Sequence, residues 1–337
     1  MPKVELHVHL EGATDAETVW EMARRNRVTL PAATLEDWRS FYRFRDFDHF
    51  IEVYELACEV MRTPDDWAFM IERFLETQAR QKICYSEAFF SVCQHLGKFS
   101  AEDWLDAFEA GVAAGERRTG SRVRFIADLT RHAPESRWQA LEFALRGKER
   151  GLVIALGLGG KERGHPPEAF ADVYAEARTQ GLHLVAHAGE TDGPASVRGA
   201  LRALGVERIG HGVRSLEDAA LIEELRARRI PLEVSPTSNY CLGVTPRGVP
   251  HPIRQLVDAG VLVTLNSDDP PMFGTDLVGE YHLLAEQGFT WEELWQLNLN
   301  ALEASFLDPD EKAHLARAWT QAAEQTGPCA LCGATTP

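Results

Sequence analysis

Eight short apolar runs, each followed by a stretch of helical periodicity, constrain what this 337-residue chain can fold into. The runs lie at 4–10, 82–90, 123–129, 152–158, 182–187, 208–210, 230–235 and 261–266. Helical patterns fill 64–80, 100–118, 135–147, 167–180, 194–204, 216–228 and 250–259 between them. Further helical stretches follow the first run, at 14–26 and 41–62, and 275–323 reads as helical after the last. Strands alternating with helices build a parallel sheet. Eight such units predict a closed (β/α)₈ TIM barrel with additional helices after strand 1 and at the C-terminus. An open doubly wound sheet is the alternative, but no G-x-G-x-x-G follows the first run. No linker-like stretch interrupts the pattern, which predicts one domain over 1–325 and a loose tail of small and polar residues at 326–337.

The inserted segments have their own signals. Thr14 and Asp15 suit a helix start, and the basic residues near 26 suit its end. Phe41, Phe44, Phe47, Phe50 and Tyr54 recur every three or four residues, as on one face of a helix. Core packing is the plain reading of that stripe; the sharper one is a lid that supplies apolar walls to a pocket. Trp67, Trp104 and Trp138 are expected to pack helices on the barrel.

Composition excludes several roles. A formal charge of −16 disfavours a nucleic-acid polymer as partner, because phosphate binding needs a basic surface. No apolar run approaches the roughly 20 residues of a membrane span, and the first residues show no signal-peptide pattern. The expectation is a soluble cytoplasmic protein. Six cysteines, Cys58, Cys84, Cys93, Cys241, Cys329 and Cys332, are too scattered for a disulfide framework and are expected reduced.

The polar residues at the strand ends carry the chemistry. In Val4-Glu5-Leu6-His7-Val8-His9, positions 7 and 9 share one face of a strand. Neutral imidazole is a common zinc ligand, but two histidines do not complete a site. The run at 182–187 ends in His187, followed by Ala188-Gly189-Glu190. The run at 208–210 is followed by His211, and 261–266 by Ser267-Asp268-Asp269. Catalytic groups of a barrel gather at the C-terminal ends of its strands, so all of these converge on one mouth. His7, His9 and His187 can give three nitrogens to one zinc ion, and Asp268 an oxygen, with a position left for water. Zinc lowers the pKa of that water from about 16 towards ~7. Glu190 is suited to proton transfer with the substrate, and His211 can orient or deprotonate the water. In the Asp268-Asp269 doublet, one carboxylate can bind metal while the other meets the substrate.

These motifs resemble the adenosine deaminase family of the metal-dependent amidohydrolases. The matching segments are Val4-Glu5-Leu6-His7-Val8-His9-Leu10-Glu11-Gly12, Leu156-Gly157-Leu158-Gly159-Gly160, His187-Ala188-Gly189-Glu190, Arg208-Ile209-Gly210-His211-Gly212 and Leu265-Asn266-Ser267-Asp268-Asp269-Pro270. They run in the family's order over most of the chain. The resemblance implies a (β/α)₈ barrel, one Zn2+, and His7, His9, His187 and Asp268 as its ligands. It implies that Glu190 protonates purine N1 and that His211 positions the attacking hydroxide. Asp269 would meet N7, and the backbone amide of Gly160 would meet N3. The implied reaction is hydrolytic deamination of a small purine nucleoside, adenosine to inosine and ammonia.

Glu11 departs from the pattern. Many members carry an aspartate there, bonded to the ribose 5′-hydroxyl. The longer side chain opens two alternatives, 6-amino-6-deoxyfutalosine of a menaquinone route and free adenine. The glycines at 157, 159, 160 and 210 lean towards a nucleoside. A binuclear amidohydrolase acting on amides or phosphoesters would call for a modified lysine at a mid-barrel strand end, and Lys161 reads as a solvated loop residue instead. The H-x-E…P-C-x-x-C pattern of His9, Glu11, Cys329 and Cys332 spans more than three hundred residues and is discounted as a cytidine-type zinc site. His49, His95, His132, His165, His183, His251, His282 and His314 match no ligand spacing and are expected at the surface or as satisfied core groups.

Overall fold

The structure, a computed structural model, describes residues 1–326, with side chains to Trp319. Its eight strands are β1 (Lys3–His9), β2 (Ile83–Ser91), β3 (Arg122–Thr130), β4 (Val153–Gly159), β5 (His183–Ala188), β6 (Arg208–His211), β7 (Leu232–Val234) and β8 (Val263–Leu265). Each pairs in parallel with the next in sequence order. A parallel bridge between Val8 and Asp268 joins the last strand's end to the first. There the His9 amide donates to the Asp268 carbonyl at 2.9 Å, and the Asp268 amide to the His7 carbonyl at 3.1 Å. The chain folds as the (β/α)₈ barrel that the alternation predicts.

The strands read as apolar runs because both faces are covered. Their outward residues join the helices in one large core, and Phe89, Ile126, Ala155 and Val185 from four neighbouring strands fill the barrel's interior. The interior also buries charge. Arg208 donates from Nε to Glu233 at 2.5 Å and from Nη1 to Glu87 at 2.5 Å, and its guanidinium lies 3.9 Å over the Phe306 ring. Glu5 accepts from the Ser267 amide and hydroxyl and from Gln78.

Three details differ from expectation. The stretch 41–62 is not one helix. It splits into α2 (Leu35–Tyr42) and α3 (Phe47–Val60), after α1 (Ala16–Asn26). The break is chemical: the Asp46 side chain caps α3 by accepting from the His49 amide at 3.0 Å. The aromatic stripe is divided accordingly. Phe47 is 54% exposed, while Phe44 and Phe50 pack on Phe273 at 5.7 and 4.8 Å between ring centres. Since Phe273 ends the helix Pro270–Phe273 that follows Asp269, part of the stripe does wall the barrel's mouth. Second, Trp67 and Trp104 are buried between helices, but Trp138 is 45% exposed and packs no such joint. Third, 275–323 comprises Leu277–Glu286, Trp291–Ala304 and Pro309–Thr326, separated by capped turns. Cys329, Cys332 and most of the tail lie outside the described residues. Cys58, Cys84, Cys93 and Cys241 are free thiols. Among the described residues no helix is long and apolar enough to cross a membrane.

Candidate active site

His7 and His9 leave β1 on one face, as their spacing requires. His7 is fully buried, and its Nδ1 sits 2.8 Å from Glu233 Oε2. With the proton on Nδ1, its Nε2 keeps a bare lone pair, and no protein group takes it. His187, at the end of β5, does the same by another route: Nδ1 faces the Leu158 carbonyl at 3.0 Å. Its Nε2 lies 3.1 Å from Nε2 of His9. Asp268 Oδ1 stands 3.6 Å from His7 Nε2 and 3.3 Å from His9 Nε2, and Asp268 Oδ2 accepts from the Ser238 hydroxyl at 2.6 Å. The rings of His7, His9 and His187 rest on Phe89 at 4.7, 5.2 and 5.1 Å.

Such close lone pairs repel unless something positive lies between them. The electrostatics agree. Burial lowers the pKa of His7, but the nearby Asp268 carboxylate and the Glu233 bond outweigh it and raise it to about 9. Burial also lowers that of His9, but the charge of Asp269 and the bond to Asp268 raise it to about 10. Burial and the neighbouring imidazoles push His187 the other way, well below its ordinary value. The carboxylates of Asp268, Asp269 and Glu233 thus draw positive charge to the cluster, and its donor set of imidazoles and a carboxylate suits a divalent transition metal.

The flanking groups are held as tightly. His211 closes β6 with φ +62°, and Asp268 has φ +66°, both in the left-handed region that only glycine adopts without strain. His211 Nε2 points between Glu190 Oε1 at 3.7 Å and Asp268 Oδ2 at 3.9 Å. Glu190 has a side chain only 15% exposed, and its Oε1 has no partner. Burial, then the charges of Asp268 and Glu162, push its carboxyl up to about 8. Burial and the charge of Asp268 likewise hold Asp269 well above the carboxylate range, whereas burial is overcome at Asp268 by the adjacent His7 and His9 imidazoles, which keep it low. Gly12 is obligatory beside them, since a Cβ there would lie 1.6 Å from Asp269 Oδ1.

The structure therefore gathers His7, His9, His187, Asp268, Asp269, Glu190 and His211 at one mouth. Two other expected residues stand differently. Glu11 is fully buried; its Oε1 accepts from the Ser91 amide at 2.8 Å and lies 3.4 Å from His95, which leaves only Oε2 free. Gly160 lies just past β4 with φ +81°, exposed and next to His132 rather than to the histidine cluster. Lys161 is exposed, as expected of a loop residue.

Several residues were not anticipated. Asp128 on β3 has an unpartnered Oδ1, and burial lifts it to about 7 against the pull of His9 and His7. Gly157 and Gly159 make room for it: a Cβ on either would come within 2.5 and 2.2 Å of its oxygens. Glu162 accepts from the amides of Gly189, Glu190, Thr191 and Asp192 at 2.6, 3.2, 2.8 and 2.8 Å, which fixes the loop carrying Glu190. Glu233 orients His7, and His251, expected to be a bystander, belongs to a chain of bonds behind His211. A carboxylate inside an apolar strand, as at Asp128 and Glu233, is the signal that marks such residues, because a buried charge must have a purpose or a partner.

The adenosine deaminase family profile matches residues 2–321. An aminodeoxyfutalosine deaminase of Streptomyces coelicolor is 40% identical over 94% of this chain and 83% of its own length. An adenine deaminase of Cupriavidus pinatubonensis is 38% identical over 93% of this chain and 89% of its own. Among solved structures, the adenine deaminase of Arthrobacter aurescens superposes with a TM-score of 0.89 at 30% identity, covering 96% of this chain and 99% of that one. An amidohydrolase from Burkholderia ambifaria, solved with bound Zn, gives 0.86 at 26%, covering 96% and 91%. The chain belongs to the adenosine deaminase family, hydrolases that act on the C6 amino group of purines.

Proposed function

We propose that this chain hydrolyses the C6 amino group of a 6-aminopurine, releasing ammonia and leaving a 6-oxopurine. The observation that carries the reading is the convergence of the Nε2 atoms of His7, His9 and His187 with Asp268, flanked by a Glu190 carboxyl raised to about 8. His7, His9, His187 and Asp268 would hold one zinc ion. When bound, zinc supplies the Lewis acidity that brings water within reach of deprotonation near pH 7. Glu190, protonated, donates to ring nitrogen N1, which withdraws electrons from C6 and opens it to attack. His211 Nε2 holds the attacking oxygen on the side of C6 facing Asp268. Asp269, kept protonated by its neighbour, donates to N7 and fixes the ring's orientation. The water oxygen bonds to C6, one of its protons goes to the amine and the other restores Glu190, and the C6–N bond breaks so that ammonia leaves and a C6 carbonyl remains. Residues 1–325 act in this as one catalytic domain.

Within that reaction class, a nucleoside carrying a 5′ extension is the substrate best supported. A cleft of about 1190 Å³ opens between the loops after β1, β7 and β8, lined by Tyr42, Arg43, Phe44, Tyr240, Arg247 and Phe273. None of His7, His9, His187, Glu190, Asp268 or Asp269 lines it, so it lies beside the cluster and offers room for a group beyond the base. The 40% identity to the aminodeoxyfutalosine deaminase favours the same reading. Free adenine is the second reading, favoured by relatives at 36–38% identity such as those named adenine deaminase. Adenosine, the first expectation from the sequence, has neither support. The test follows ultraviolet absorbance of aminodeoxyfutalosine, adenosine and adenine in parallel with zinc-loaded protein. The largest kcat/KM should fall to aminodeoxyfutalosine. A larger value for adenine would overturn the nucleoside reading, and no change in any of the three would overturn purine deamination itself.

A further inference from the structure

Behind His211 runs a chain of buried hydrogen bonds whose direction is set by the backbone. The Ile253 amide donates to His251 Nδ1 at 3.1 Å. An amide N–H can only donate, so His251 Nδ1 accepts and the neutral ring carries its proton on Nε2. That Nε2 lies 3.1 Å from Asn239 Oδ1, which it meets as donor. The Asn239 carboxamide is thereby oriented with its Nδ2 towards His211 Nδ1, 3.3 Å away. His211 Nδ1 therefore accepts, and the proton of its neutral ring must sit on Nε2, the atom that faces Glu190 and Asp268. Reversing the Asn239 amide would demand a proton on His251 Nδ1, opposite the Ile253 N–H. All three side chains are at most 1% exposed, so no water competes for these bonds. The far end is braced as well: the His251 amide donates to Gln287 Oε1 at 2.8 Å, and Gln287 Nε2 donates to the Tyr240 hydroxyl at 3.2 Å.

We propose that Asn239 and His251 are positioning residues that lock His211 as the Nε2–H tautomer, so that it donates to the reacting oxygen and does not ligate the metal. The distinction matters because the mouth offers two overlapping ligand groups. His7, His187, His211 and Asp268 present donor atoms within 4.8 Å of one another, as do His9, Asp268 and Asp269. A nitrogen that carries a proton has no lone pair to give. The relay removes His211 from the first group and leaves His9 as the third imidazole. The inference rests on the deaminase reading for what His211 does, but not for which nitrogen is protonated.

The test is made on the zinc-loaded full chain with ¹⁵N-labelled histidine. Two-bond ¹H–¹⁵N correlations read the tautomer of each ring, assigned with His211→Gln and His251→Gln. His211 should show a protonated Nε2 and a bare Nδ1, and His251 the same. A metal-bound or unprotonated His211 Nε2 in the unsubstituted protein overturns the proposal, whatever the activity on purines. In Asn239→Asp, which keeps the side chain's shape but offers only acceptors, His211 Nδ1 should become protonated. kcat should fall at least 10²-fold with KM within a few-fold and zinc content unchanged, as expected when a donor aimed at the reacting oxygen is lost. An unchanged kcat in that variant would also overturn it. His251→Gln preserves a donor towards Asn239 and should keep at least tenfold more activity than His251→Leu; equal loss in both would argue that packing alone is at stake. A chain inactive on every purine but with the predicted tautomer would fail the deaminase reading and leave the relay standing.

Discussion

Arg208, Glu87 and Glu233 in the barrel's interior and Glu190, Asp269, Asp128 and Glu11 at its mouth are all ionisable groups withdrawn from water. The first set is paired. Arg208 serves both glutamates, and Glu233 also anchors His7, so burial, which would raise the Glu233 carboxyl, is outweighed by Arg208 and His7 and its pKa is lowered. The second set is left wanting. Glu190 Oε1, Asp269 Oδ1, Asp128 Oδ1, Glu11 Oε2 and His7 Nε2 are all buried without a hydrogen-bond partner. An unsatisfied buried polar atom costs about 1–3 kcal/mol. Each interior charge has an opposite charge beside it, although Arg208 Nη2 is itself bare, whereas the mouth leaves four carboxylates with an unmet oxygen that a ligand there can meet. The difference separates what holds the barrel together from what it presents to a ligand.

The comparison can be broken by substitution, starting where the expected effect is largest. Glu190→Gln removes the acid at the mouth while keeping its size. Turnover should fall by roughly 10²–10⁴, the usual worth of a general acid, with the melting temperature and zinc content unchanged. Retained turnover would sink the assignment of Glu190 as proton donor. Arg208→Met attacks the other set. It strands two buried carboxylates and should cost about 3–5 kcal/mol of stability, as breaking a buried ion pair typically does. Urea unfolding measures this, and a variant as stable as the parent would show that the interior network is not structural.

Glu233 lies where the two sets meet, so its substitution sharpens the boundary. Glu233→Gln still accepts from His7 but loses the charge. Zinc affinity should drop about 10–100-fold, the usual effect of an outer-shell ligand partner, measured by competition with a chromophoric chelator; unchanged affinity would confine Glu233 to the barrel's interior. The smallest effect is in pH. The proton donor form of Glu190 exists below its pKa, which burial raises to about 8. Activity should therefore be lost as pH rises through that group's titration. A bound dication stabilises the carboxylate and draws this limb to about 8 or below. The limb should be absent from the residual activity of Glu190→Gln, and its persistence there would assign it to another group.

Much of this was legible from residues alone, for a physical reason. Strand periodicity puts His7 and His9 on one face, and parallel βα units bring every strand end to one rim, so the meeting of His7, His9, His187 and Asp268 follows from spacing and order. What escaped depends on contacts across sequence. Asp128 matters only because β4 lacks side chains at Gly157 and Gly159, and no pattern near Asp128 reveals that. Asn239 and His251 are joined by a geometry twelve residues apart that no spacing rule describes. The break at 43–46 is hidden because aromatic spacing runs through it, and the Asp46 cap that makes it shows only in the fold. Glu11 was recognised as unusual, yet that its Oε1 is already taken by the Ser91 amide appears only in the fold.

The central claim is that His7, His9, His187 and Asp268 at the mouth hold one metal ion that this chain needs to deaminate a purine. Its most direct test is to strip the protein with a chelator, add zinc in steps, and measure ammonia released from the best of the three purines. The account predicts negligible release without zinc, a linear rise, and a break at one equivalent per chain. Undiminished release from the stripped protein, or a break at two equivalents, would contradict it.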